Sequence, residues 1–68
     1  MRISARNQIK GTVKSVKEGA VNTQVMVDIG GHVITSMITS DSVKELGIAQ
    51  GKEVYVVIKA SEVMLAVD

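Results

Sequence analysis

The stretch Val21-Asn22-Thr23-Gln24-Val25-Met26-Val27-Asp28-Ile29-Gly30-Gly31-His32 decides the fold of this 68-residue chain. Val21, Thr23, Val25, Val27 and Ile29 alternate with Asn22, Gln24, Met26 and Asp28, the period of two that sends successive side chains to opposite faces of a β-strand. Gly30-Gly31 then supplies a two-residue hairpin turn, because such turns demand positive φ and a residue without Cβ adopts it freely. A returning strand is predicted from His32 to Ile38 or Thr39.

Working outward, a strand is predicted upstream from Asn7 to Lys17, with Ile9, Gly11 and Val13 on one face and Lys10, Thr12 and Lys14 on the other. Val16 falls out of phase. Either a bulge near Lys14-Ser15 restores it or the strand frays before Glu18-Gly19. Downstream, Ser40-Asp41-Ser42-Val43-Lys44-Glu45-Leu46-Gly47 combines a capping residue, good helix formers and a terminating glycine, which predicts one helix of about two turns. After the Gln50-Gly51-Lys52 turn, a fourth strand is predicted from Glu53 to Lys59 and a fifth from Val63 to Val67. This order defines an all-β fold, a five-stranded OB-type Greek-key barrel with one short helix between strands 3 and 4, in a single domain over residues 1–68.

The composition poses a stability problem that this barrel does not solve alone. A 7.2 kDa chain buries only about 60% of its unfolded surface. There is no Cys, one His and a single aromatic residue, Tyr55, yet 46% of the residues are hydrophobic, with 12 Val and 7 Ile. Neither a disulfide nor a thiolate metal site can staple the fold. The fourth and fifth strands are also apolar on both faces, as strands covered on both faces are. Several copies are therefore expected to share a core.

Eight Lys and Arg against seven Asp and Glu leave a net charge of +1, which gives no electrostatic footprint for duplex nucleic acid or an anionic membrane. No apolar run approaches the ~18 residues of a membrane-spanning helix, and Met1-Arg2-Ile3-Ser4 lacks a signal-peptide core, so a cytoplasmic location is expected. No catalytic constellation is found: there is no Cys nucleophile, no triad around His32 and no phosphate loop. Among binding functions, an OB-type single-stranded nucleic-acid-binding module is the alternative, but it relies on stacking aromatics in a basic groove, and Tyr55 is the only aromatic residue.

Three short segments concentrate hydrogen-bond donors. Ser4-Ala5-Arg6-Asn7 precedes the first strand, Thr39-Ser40-Asp41-Ser42 opens the helix, and Lys59-Ala60-Ser61 closes the fourth strand. Together they would surround a small oxyanion with two cations, hydroxyls and backbone N–H groups. Taken singly, Arg6 and Lys59 are ordinary surface cations, and Thr39 to Ser42 is a helix cap in which Asp41 opposes an anion.

Ser4-Ala5-Arg6-Asn7-Gln8-Ile9-Lys10-Gly11 resembles the opening of the molbindins, the Mop-type molybdate-binding proteins. The likeness continues through Gly19-Ala20-Val21-Asn22, through Ile38 to Gly47, and through Gly51-Lys52-Glu53 to Ile58-Lys59-Ala60-Ser61-Glu62-Val63-Met64. The resemblance implies intracellular binding and storage or homeostasis of molybdate or tungstate at sites between subunits of a homohexamer, a trimer of dimers. Its main site would take Ser4, Ala5, Arg6 and Asn7 from one subunit and Thr39, Ser42, Lys59, Ala60 and Ser61 from another. A second site near the threefold axis would use Gly19, Ala20, Val21 and Asn22, chiefly through main-chain N–H groups. Only the oxyanion's oxygens would be contacted, with no protein atom bound to the metal, and no organic cofactor is expected. The same domain occurs in larger regulators and transporter ATPases, and this chain resembles the stand-alone form.

Overall fold

The computed structural model describes residues 1–68. Its elements are β1 (Asn7–Lys17), β2 (Asn22–Asp28), β3 (Val33–Thr39), α1 (Ser40–Leu46) and β4 (Glu53–Ile58), followed by one 3-10 turn at Ala60–Glu62. The strands form a single antiparallel sheet in the order β3-β2-β1-β4.

The predicted hairpin is present. Gly30 and Gly31 have φ of 96° and 94°, the Ile29 N–H donates to the His32 carbonyl at 2.9 Å, and Asp28 Oδ1 accepts from the Gly30 N–H at 2.8 Å. In β1 the bulge reading holds and fraying does not. Val13 pairs with Val27 and Ser15 with Met26, so Lys14 is the extra residue. The inserted residue reverses the alternation, returning Val16 to the core side, where it packs on the buried cluster.

That cluster is small: Val13, Val25, Val27 and Val43, with Val16, Ile29, Ile38, Ile48, Val54 and Val56 partly buried around it. Gly11 lets β1 approach β2 closely. A Cβ there would meet the Asp28 carbonyl oxygen and Val27 Cγ1, both at 2.7 Å. Helix α1 is capped at its start by Thr39, whose Oγ1 accepts from the Ser42 N–H, and ends at Gly47 with a left-handed φ of 65°. It lays Val43 into the core. No helix is long and apolar enough to cross a membrane.

Two sequence expectations are corrected. The expected strand from Val63 to Val67 does not form, so the sheet has four strands rather than five. Val63, Met64, Leu65 and Val67 are 46, 92, 94 and 98% exposed, and the segment pairs with no edge. A period-two apolar pattern makes a segment fit for a sheet, but ladder hydrogen bonds need a neighbour, and the chain leaves its own sheet at the 3-10 turn. Val21 also lies outside β2 and is exposed; its carbonyl accepts from the N–H of Ser40, the first residue of α1, at 2.8 Å.

The sheet curls without closing. Ser36 and Ile38 of β3 and Val54 and Val56 of β4 line one apolar cleft of about 250 Å³, floored by Val25 and Val27.

Candidate functional site

The β1–β4 register brings two of the three donor segments to the same end of the sheet. Asn7 pairs with Ile58 in the ladder, and Asn7 Nδ2 also donates to the Ile58 carbonyl at 3.1 Å. Residues 4–6 before β1 and residues 59–61 after β4 therefore leave adjacent strand ends. Gln8 Nε2 donates to the Ala5 carbonyl at 2.9 Å, fixing the lead-in, and Ser4, Ala5 and Arg6 line an open surface groove with Ile3 and Gln8. Lys59 has extended backbone angles, and its carbonyl accepts from the Glu62 N–H at 2.8 Å, closing the 3-10 turn that displays Ala60 and Ser61. Arg6 and Lys59 are exposed and neither forms an ion pair, the one pair in the chain being Lys10 with Glu53.

Thr39 and Ser42 lie elsewhere. Thr39 pairs with Asn22 in the β2–β3 ladder, close to the end of β1 opposite Asn7 and about 30 Å away along that strand's contour. Thr39 Oγ1 accepts from the Ser42 N–H at 3.1 Å and donates to Ser42 Oγ at 2.7 Å, which leaves the Ser42 O–H to donate outward. The resemblance implies that residues 59–61 meet the site from the same subunit as Thr39 and Ser42. Within one chain, residues 59–61 adjoin residues 4–7, and Thr39 and Ser42 lie at the other end of the sheet.

The segment of residues 19–22 adjoins the start of α1. Ser40 Oγ donates to the Gly19 carbonyl at 2.6 Å and lies 2.7 Å from Thr23 Oγ1, which accepts a long hydrogen bond of 3.5 Å from the Gly19 N–H. Thr23 and Ser40 are buried. The N–H groups of Ala20 and Val21 donate to none of the chain's backbone or side-chain acceptors. Within the polar run Thr39-Ser40-Asp41-Ser42 nothing in the sequence sets Ser40 apart. Its only signal there was its place opening the helix, where neighbouring hydroxyls look alike until burial separates them.

What these segments offer is an array of hydroxyl, amide and cationic donors, suited to an anion with several acceptor oxygens and not to direct coordination of a metal cation. The chain matches the TOBE domain over residues 3–65 and belongs to that family. Within it, the relatives similar over their full length include molybdenum-pterin-binding (Mop) proteins. The "Probable molybdenum-pterin-binding protein" of Haemophilus influenzae is 51% identical over 69 residues, covering 100% of both chains. Among solved structures, MopII from Clostridium pasteurianum is similar with a TM-score of 0.91 and 48% identity, over 97% of this chain and 100% of that one. The cytoplasmic molybdate-binding protein ModG, in a form with molybdate bound, gives a TM-score of 0.93 and 48% identity over 100% of this chain and 49% of its own. The resemblance read from residues 4–11 is borne out, and the curled four-stranded sheet takes its place among the OB-type Mop folds.

Proposed function

We propose that this chain is a binding protein, not an enzyme, that holds molybdate or tungstate between subunits and serves storage or homeostasis of the oxyanion in the cytoplasm. The observation that carries the reading is the Asn7–Ile58 pairing, which sets the lead-in bearing Ser4 and Arg6 beside the turn bearing Lys59 and Ser61. The similarity to ModG, whose structure contains molybdate, supports the choice of ion. Ser4, Ala5, Arg6, Asn7, Lys59, Ala60 and Ser61 form one half of the main site, and Thr39 and Ser42 of a neighbouring copy complete it in a homohexamer. A second site lies at the segment from Gly19 through Ala20 and Val21 to Asn22, where the N–H groups of Ala20 and Val21 are free.

The physical mechanism follows from the ion. Molybdate is a tetrahedral dianion, so an interface that strips its water must present donors to all four oxygens. Charge-assisted hydrogen bonds from Arg6 and Lys59 offset lost hydration, and neutral hydroxyls and N–H groups satisfy the remaining acceptors. A cavity sized for this ion leaves the smaller sulfate short of some donors, so selectivity is geometric. No organic cofactor takes part. Equilibrium binding of molybdate in the presence of millimolar sulfate tests the proposal: retention of molybdate supports it, and its loss to sulfate ends it.

A further inference from the structure

We infer that Gln8, which lies outside the donor set, is a positioning residue for the main oxyanion site: its side-chain amide holds the Ala5–Arg6 peptide so that the Arg6 N–H is free and fixed in direction before the ion arrives. This deepens the proposed function and rests on it, since it concerns how one half of that site is prepared.

The lead-in to β1 has almost nothing else to hold it. Residues 1–6 make no backbone–backbone hydrogen bond with any part of the chain. Among side chains one bond alone reaches them, from Gln8 Nε2 to the Ala5 carbonyl at 2.9 Å. The chain contains no Pro, so no ring stiffens the segment. Gln8 itself stands on a firm base, because its backbone pairs with Val57 in the β1–β4 ladder. The tether therefore joins an otherwise unbonded segment to the sheet.

The bond also sets direction. In a straight continuation of β1, residue 5 would stand about 10 Å from residue 8. A Gln side chain spans less than that, so the contact is made because the chain bends at Arg6. Every peptide bond in the chain is trans, and in a planar trans unit the Ala5 carbonyl and the Arg6 N–H point opposite ways. Turning the carbonyl toward Gln8 turns the Arg6 N–H away from it, and that N–H donates to no acceptor in the chain. Asn7 acts on the other side, its Nδ2 donating to the Ile58 carbonyl at 3.1 Å, which keeps the start of β1 beside the strand end that carries Lys59. A donor already ordered in its bound direction binds more tightly than one that must be ordered by the ligand.

The test uses the full-length chain. Gln8→Met keeps the length of the side chain and removes its N–H. Without molybdate, the order parameter of the Arg6 amide from backbone relaxation is expected near the rigid value of about 0.85 in the parent and below about 0.6 in the variant. Molybdate affinity in calorimetric titration is expected to fall about three- to tenfold, the range of one net hydrogen bond, with the urea midpoint unchanged. Saturating molybdate should restore the order of the Arg6 amide in the variant. Gln8→Glu, which keeps the shape and replaces the donor by an acceptor, is read on amide order alone, because its charge would itself repel the anion, and it should lose order likewise. An Arg6 amide as ordered in both variants as in the parent overturns the inference, as does an affinity unchanged in Gln8→Met when Arg6→Ala weakens binding. A lowered urea midpoint with order lost along the whole of β1 makes Gln8 a structural residue and overturns it too. A parent chain that binds no molybdate ends the proposed function instead, and the order readout still decides whether Gln8 holds the peptide.

Discussion

Thr23 Oγ1 and Ser40 Oγ stand 2.7 Å apart in the buried interior, and Ser40 passes its hydrogen to the Gly19 carbonyl at 2.6 Å. This hydroxyl chain ties the start of α1 to β2 and to the segment of residues 19–22. Removing one member strands the others away from water, where an unsatisfied polar group costs about 1–3 kcal/mol. Ser40→Ala is therefore expected to destabilise the chain by about that amount in urea unfolding. Asp41→Ala, one residue on and exposed, is expected to change stability by less than about 0.5 kcal/mol. Equal effects would remove the assigned role.

Gly11 and Gly30 make opposite predictions about why a glycine is needed. At Gly11 an added Cβ collides with backbone and a buried side chain, so Gly11→Ala forces β1 away from β2 and should cost about 1–3 kcal/mol. At Gly30 nothing lies within 4 Å, and only the positive φ resists substitution. Gly30→Asn, which meets no atom and tolerates positive φ better than other side chains, is expected to cost less than Gly11→Ala. Thermal unfolding of the two variants separates steric from conformational demand.

The Lys10 ammonium lies 3.2 Å from Glu53 Oε2 on the outer face, and the hydrogen bond to Glu53, followed by that carboxylate's charge, raises the Lys10 pKa above the ordinary lysine value. A raised folded-state pKa contributes stability that is fully present below the unfolded lysine pKa and is lost as pH rises through the folded one. Both side chains are largely exposed, so the contribution is small and salt-sensitive. The stability difference between the parent chain and Glu53→Gln should thus shrink on titration into the alkaline range. A difference that grows there would contradict the assignment.

If Arg6 and Lys59 hold the oxyanion, each supplies charge-assisted hydrogen bonds worth about 1.5–3 kcal/mol. Arg6→Ala and Lys59→Ala should each weaken molybdate binding by roughly ten- to a hundredfold in calorimetric titration. Lys14→Ala, at the bulge, should leave the affinity unchanged. Arg6→Lys should recover only part of the loss, since an ammonium cannot present the planar fork of a guanidinium.

The sequence by itself determined the local elements. The alternation around Val25, the Gly30-Gly31 turn, the bulge signalled by Val16 and the cap-to-Gly47 helix are all consequences of side-chain period and backbone φ, which act over a few residues. The resemblance of residues 4–11 to the Mop proteins was likewise legible from order alone. Tertiary structure decided what depends on neighbours distant in the chain. The Asn7–Ile58 register, not the spacing of Arg6 and Lys59, grouped residues 4–7 with 59–61 and set Thr39 and Ser42 apart. Burial, not residue type, singled out Ser40 among adjacent hydroxyls. Residues 63–67 have the pattern of a strand and are not one within a single chain, because strand pairing is a property of two edges and a sequence pattern specifies only one of them.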